Sequence, residues 1–190
     1  GGTVPKWMAV LAVAMGVVLA AVCAHSYMMA ARPVWDCVLE VLSIVGAACI
    51  LGPATCAIVM AVKGDVLDAV GLPALAGSVI GAVTSVAYAA FIQMSGSAFT
   101  QVGYYFDPTV PTKEMVDAAA TAGGQVPLLW VGAVIVGAAV PLVCCVLARK
   151  KGDAAGWKLF GGVAVAAALV GAVCLRVAFY NMGMSVFMFY

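Results

Sequence analysis

The segment LFGGVAVAAALVGAVCLRVAFYNM (159–182) decides the fold class, because it is long and apolar enough to cross a lipid bilayer. A helix needs about 20 consecutive apolar residues to span the hydrocarbon core. Arg176 is the single charged residue in this segment. Charged side chains inside membrane spans are rare and commonly functional. Arg176 is therefore the first candidate site residue.

The rest of the chain has the same apolar character. Hydrophobic residues make up 66% of the chain and charged residues 9%, and the mean hydropathy is +1.16. Soluble domains are about half apolar and a quarter charged. We therefore predict an all-α fold, a polytopic transmembrane helix bundle that forms a single domain, 1–190. Its five predicted spans cover about 7–29, 37–62, 72–94, 127–149 and 159–182. A net charge of +1 offers no basic surface for nucleic acid.

Small residues predict how the spans pack. The stretches 77–90 and 161–172 are rich in glycine and alanine, which allow helices to approach closely in lipid. Gly52 and Pro53 predict a kink in the second span. The seven cysteines form no CxxC pair and lie mostly in apolar runs, so we interpret them as packing residues rather than metal ligands.

The distribution of positive charge predicts the orientation. The connections on the side of the N-terminus contain most of the basic residues: Lys6, Lys63, Arg149, Lys150, Lys151 and Lys158. Cytoplasmic loops of membrane proteins carry such an excess. We therefore predict a multi-pass protein of the cytoplasmic membrane, with the N-terminus of this chain inside and its C-terminus outside. Trp7 and Trp157 are expected at the inner interface, and Trp35 and Trp130 at the outer one.

One connection, 95–126, is long and is predicted to be extracytoplasmic. Thr112 is expected to cap a short helix within it. Two interpretations remain open for this loop, because it suits either a helix lying on the membrane surface or a docking surface for a partner. The candidate docking residues are Tyr104, Tyr105, Asp107, Lys113 and Glu114.

The candidate binding residues of the spans lie near the outer side. They are His25, Glu40, Arg176, Tyr180 and Asn181. A proton pump or an ion channel needs polar groups across the full membrane, whereas a lipid-soluble quinone needs them on one side only. Two interpretations remain open for Glu40. Its negative charge either stabilises the N-terminus of its helix or accepts a proton. Arg176 either pairs with a carboxylate, most simply Glu40, or anchors its helix at the interface.

Several stretches, taken in order, resemble the membrane anchor subunit of the dimethyl sulfoxide reductase family. They are the final pattern of Gly171, Arg176, Phe179 and Tyr180, the stretch HSYMMAARPVWDCVLEVLSIVGAACILGPATCAIVMAVKGD (25–65), the long outer loop and the KKGD turn at 150–153. The resemblance covers nearly the whole chain and corresponds to the last five of the family's eight spans.

This resemblance implies a function. Such a subunit anchors an iron–sulfur electron-transfer subunit and a molybdopterin catalytic subunit on the extracytoplasmic side, and it oxidises menaquinol in anaerobic respiration. The chain itself is then expected to bind no haem or metal. Family members often have a glutamate four residues before the arginine, where this chain has Ala172, and Glu40 is the candidate replacement. The alternative function is a fragment of a secondary transporter or channel, but we find no inverted repeat and no charged residue in the middle of the predicted spans.

Overall fold

Five helices long and apolar enough to cross a membrane make up the bundle, which confirms the predicted fold class. The computed structural model describes residues 5–30, 32–65, 68–98, 105–106 and 117–186. The helices are α1 (Lys6–His25), α2 (Val38–Lys63), α3 (Asp68–Ala98), α4 (Ala118–Lys151) and α5 (Ala154–Asn181). Two short strands, β1 (Tyr105–Phe106) and β2 (Ser185–Val186), form an antiparallel pair.

The helices flanking the long connection reach further than the sequence predicted. α3 continues to Ala98, and α4 already begins at Ala118. The side chain of Asp117 caps α4, because its Oδ1 accepts hydrogen bonds from the backbone N–H groups of Ala119 at 2.9 Å and Ala120 at 3.1 Å. The predicted cap, Thr112, lies outside the described residues.

Glycine lets α2 and α3 pack closely, as the small residues of 77–90 predicted. A Cβ atom on Gly77 would overlap the carbonyl oxygen of Cys49, and one on Gly81 would overlap Ile50. In a regular helix the carbonyl of Cys49 would accept the N–H of residue 53, but Pro53 has no N–H. The close approach of α3 therefore covers a stretch of α2 whose hydrogen bonding proline has interrupted.

A second close pair is formed by α4 and α5. Gly137 and Gly171 meet backbone to backbone, so that a Cβ atom on either would overlap the other. The middle of α4, Pro127–Ala139, is wound as a π-helix, and the N–H of Val140 bonds to the carbonyl of Ile135. Four of the five helices thus form two tight pairs, α2 with α3 and α4 with α5, which lie against each other, and α1 contacts α2.

The two ends of the bundle differ in what they bury. At one end, here called the alanine end, the indole of Trp157 packs among Ala57, Ala61 and Ala74. The other end, here called the polar end, holds Trp35 inside a second cluster.

The four tryptophans predicted for the membrane interfaces differ in exposure. Trp7 is 67% exposed and Trp130 is 37% exposed, whereas Trp35 and Trp157 lie inside the bundle. Burial within the bundle does not report depth in a membrane, so the interfacial belt stays a prediction.

Candidate functional site

An ion pair joins α2 to α5 at the polar end. Nη1 of Arg176 donates a hydrogen bond to Oε1 of Glu40 at 2.8 Å, so the expected pairing of these two residues is present. Glu40 lies in the first turn of α2, and its side chain is 0% exposed, whereas that of Arg176 is 34% exposed. A carboxylate removed from water is costly unless it is paired. The positive charge of Arg176 therefore offsets the cost of burying a charged Glu40 in the bundle.

Aromatic rings enclose the guanidinium group. Its central carbon lies 4.8 Å from the ring centroid of Phe179 and 5.6 Å from that of Tyr27. The indole of Trp35 stacks on Phe179, with centroids 4.7 Å apart, and its N–H donates to the carbonyl of Phe179 at 2.9 Å. The connection between α1 and α2 is thereby fixed to the end of α5. Arg176 is held by cation–π contacts as well as by Glu40.

The other three predicted binding residues are placed differently. Tyr180 is 53% exposed. Its hydroxyl oxygen lies 3.3 Å from that of Tyr27, whose ring contacts the guanidinium of Arg176. The amide of Asn181 donates to Oε1 of Gln125 at 2.9 Å, which ties α5 to the first part of α4. Nδ1 of the exposed His25 lies 3.3 Å from the sulfur of Met28. The described contacts of His25 and Asn181 therefore do not include the ion pair.

A cavity of about 170 Å³ lies beside the ion pair, between the two tight helix pairs. Most of its lining is apolar and small, and its polar groups come from Arg176, Tyr88 and two serines. The complete lining is Ser43, Ile44, Ala47, Ile50, Ser85, Tyr88, Ala133, Gly137, Ala168, Gly171, Ala172, Leu175, Arg176 and Phe179.

Sequence reasoning missed several residues of this site. Tyr88 is 1% exposed, and its hydroxyl lies 3.4 Å from the carbonyl of Val34. The hydroxyl of Ser43 donates to the backbone carbonyl of Glu40 at 2.7 Å. A tyrosine within a predicted membrane span was the available signal, because a buried phenol needs a partner.

One oxygen of the buried carboxylate lacks a partner in the described part of the chain. It is Oε2 of Glu40, which has no hydrogen-bond partner there. Buried polar atoms are nearly always bonded, so such an atom calls for a partner beyond the described residues, such as a ligand. Glu40 therefore has one oxygen held by Arg176 and a second that is free to accept a proton or a hydrogen bond.

Most of the predicted docking residues, Tyr104, Asp107, Lys113 and Glu114, lie outside the described residues. Tyr105 is described only as part of β1, where it pairs with Val186 of β2. Since β2 follows directly on α5, this pairing attaches the long connection to the polar end.

Within the described ranges, no group of three or more His, Cys, Asp or Glu residues is arranged to hold a metal ion. No family model matches the chain, and neither a curated protein nor a solved structure matches it.

Proposed function

We propose that this chain is the membrane anchor subunit of an anaerobic molybdopterin oxidoreductase, and that its polar end binds and oxidises menaquinol. The observation that carries the proposal is the ion pair between the buried Glu40 and Arg176, because Arg176 lines an apolar cavity. The resemblance of the sequence to the anchor subunits of the dimethyl sulfoxide reductase family supports the same function.

The chemistry of the cavity suits a quinol headgroup. An apolar wall of small side chains accepts a flat ring, and a cavity of roughly 150 Å³ already holds a benzene-sized molecule. The guanidinium of Arg176 has N–H groups beyond the one that binds Glu40, and it can donate them to a ring oxygen. Ligand sites of this kind combine an apolar pocket with a few polar groups that fix orientation.

Oxidation of the quinol to the quinone releases two electrons and two protons. Glu40 is the candidate acceptor for both protons in turn, and it would pass the first to water on the outer side before it takes the second. Its second oxygen is unpartnered among the described residues, and its first is held by Arg176. The electrons would pass to the iron–sulfur partner subunit and from there to the molybdopterin subunit. Both partners are proposed to dock at the polar end, outside the cytoplasmic membrane.

The position of Ala172 supports this assignment of Glu40. Ala172 stands where related anchors often have a glutamate, and it lines the same cavity as Arg176. In this chain the carboxylate beside the arginine comes from α2 instead of α5. The proposed chemistry is therefore the same, with the acidic group on α2, where it is bonded to the cavity-lining Arg176.

The orientation rests on charge. The connections at the alanine end contain Arg149, Lys150, Lys151 and Lys158 as well as Lys63. Excess positive charge marks the cytoplasmic side. We therefore place the alanine end inside and the polar end outside.

The test compares two arginines at the polar end. Arg176→Ala should abolish menaquinol-dependent substrate reduction in membranes that contain the whole complex, while reduction by an artificial soluble donor continues. Arg32→Ala is the matched control, because the Arg32 guanidinium lies 4.2 Å from the Trp35 ring and is not in the ion pair. If Arg176→Ala leaves both activities unchanged, the arginine is only an anchor. A loss of ion or solute flux without any change in quinol oxidation would instead favour a transporter.

A further inference from the structure

We infer that Ser85 binds the second oxygen of the ligand, so that the cavity selects a flat ring with oxygens on opposite edges. The inference rests on the proposed quinol site and adds a binding residue on the wall away from Arg176. It also assigns a role to the 1,4 arrangement of the two ring oxygens that menaquinol has.

Ser85 faces the cavity rather than lipid. Its neighbours on the same face of α3, namely Ser78, Gly81, Tyr88 and Ala89, are all buried, but Ser85 itself is partly exposed. Residues three, four and seven positions apart lie on one face of a helix. Because Ser85 lines the cavity, its exposed surface is the surface that a ligand would touch.

The hydroxyl of Ser85 has no hydrogen-bond partner among the described residues, unlike three other serines of the spans. Ser78 donates to the carbonyl of Ala74 at 2.8 Å, Ser95 to that of Phe91 at 2.7 Å and Ser43 to that of Glu40 at 2.7 Å. An unbonded hydroxyl in apolar surroundings is unfavourable, so Ser85 is expected to bond to whatever occupies the cavity.

The Ser85 wall and the Arg176 wall of the cavity lie at different levels along the helix axes. Thr84 of α3 contacts Gly46 of α2, and consecutive spans run antiparallel, so Ser85 lies about level with residue 45. Residue 45 is five positions beyond Glu40, which corresponds to about 7 Å along the helix axis. The Glu40 and Ser85 side chains add to this separation, because helical side chains tilt towards the N-terminus of their own helix, and the Arg176 guanidinium lies beside the Glu40 carboxylate. A ring between the two walls can therefore bond at both edges.

The lipid tail of such a ligand has an exit between α2 and α5. The lining residues of these two helices that are partly exposed, apart from Arg176, are Ile44, Ala47 and Ala172. The α4–α5 and α2–α3 seams are closed by glycine contacts instead. A ring held by Arg176 and Ser85 would leave its substituent at this seam.

The experiment compares two probes that differ in one oxygen. 4-Methoxy-1-naphthol has oxygens on opposite edges of its ring, and 1-naphthol lacks the second one. Equilibrium dialysis would measure their binding to the full chain in nanodiscs. The wild type should bind the methoxy probe about five- to tenfold more tightly, which is the range for one hydrogen bond. Ser85→Ala should remove this preference and leave the affinity for 1-naphthol unchanged.

Ser78→Ala is the control, because the Ser78 hydroxyl is already bonded and does not line the cavity. It should keep the wild-type preference. If the Ser85→Ala variant keeps the preference, or if its affinity for both probes falls equally, the proposed role of Ser85 is wrong. In that case, if the Arg176→Ala variant bound neither probe, the result would still support the quinol site. If the wild type binds neither probe, the quinol site itself is wrong.

Discussion

The two ends of the bundle are formed by similarly apolar helices, but one end packs apolar groups around its tryptophan and the other holds an ion pair. At the alanine end, Trp157 fills the space that Ala57, Ala61 and Ala74 leave, and packing accounts for the arrangement. At the polar end, Glu40 and Arg176 form an ion pair under a layer of aromatic rings. Both ends bury a tryptophan, but only the polar end buries a charged group among its described residues.

The physical cost of the two arrangements differs. Helices in lipid associate through van der Waals packing, and small residues around a large one provide it without any desolvated charge. A buried ion pair gains attraction but loses hydration, so it is weak evidence for a stabilising role. Packing of the kind seen around Trp157 could hold a bundle together by itself. We therefore expect function at the Glu40–Arg176 pair, and stability and activity should respond differently to changes at the two ends.

The largest effect is expected at the alanine end, on stability. Trp157→Ala should lower the free energy of unfolding by about 3 kcal/mol, because it leaves a large cavity. Denaturant unfolding in detergent micelles would measure it. Trp7→Ala, at a position that is 67% exposed, is the control and should change the free energy little. Quinol-dependent activity of the folded Trp157→Ala fraction should remain normal. A stable variant without quinol activity would contradict the division between the ends.

The next effect is expected at the polar end, on activity. Glu40→Gln keeps the size of the side chain but removes the carboxylate that we propose as proton acceptor. Quinol-dependent turnover should fall by about 100-fold, the lower range for loss of a general base. Turnover with the artificial soluble donor should be unaffected. Equal loss with both donors would indicate that Glu40 serves assembly of the complex rather than proton transfer.

A smaller effect is expected at the contact of α4 with α5, which both ends share. Gly171→Ala should destabilise the protein by about 2 kcal/mol, because the added methyl group overlaps the backbone of Gly137. Gly162→Ala, in the same helix, is the matched control, since no atom lies within 4 Å of a Cβ placed there. Alanine should be neutral or slightly stabilising at that position. Equal unfolding free energies for the two variants would show that the helices are not in close contact.

The sequence by itself determined the fold class and the depth of each polar group. Five apolar runs imply five spans, and a fixed rise per residue assigns Arg176 and Glu40 to the same level. Few carboxylates lie at that level, so the pairing of the two residues could be predicted. The close packing of glycine-rich stretches was also predictable, because in lipid only small residues allow it.

Only the tertiary structure decided which side chains meet. Tyr27 and Trp35 belong to a short connection, and no periodicity in the sequence places them against Arg176 and Phe179. Helix rotation decides the partners of His25 and Asn181. It also decides that the hydroxyl of Ser85 has no partner among the described residues. Hydropathy gives depth along a span, but the rotation follows from contacts with neighbouring helices. That is why depth could be predicted here and the walls of the cavity could not.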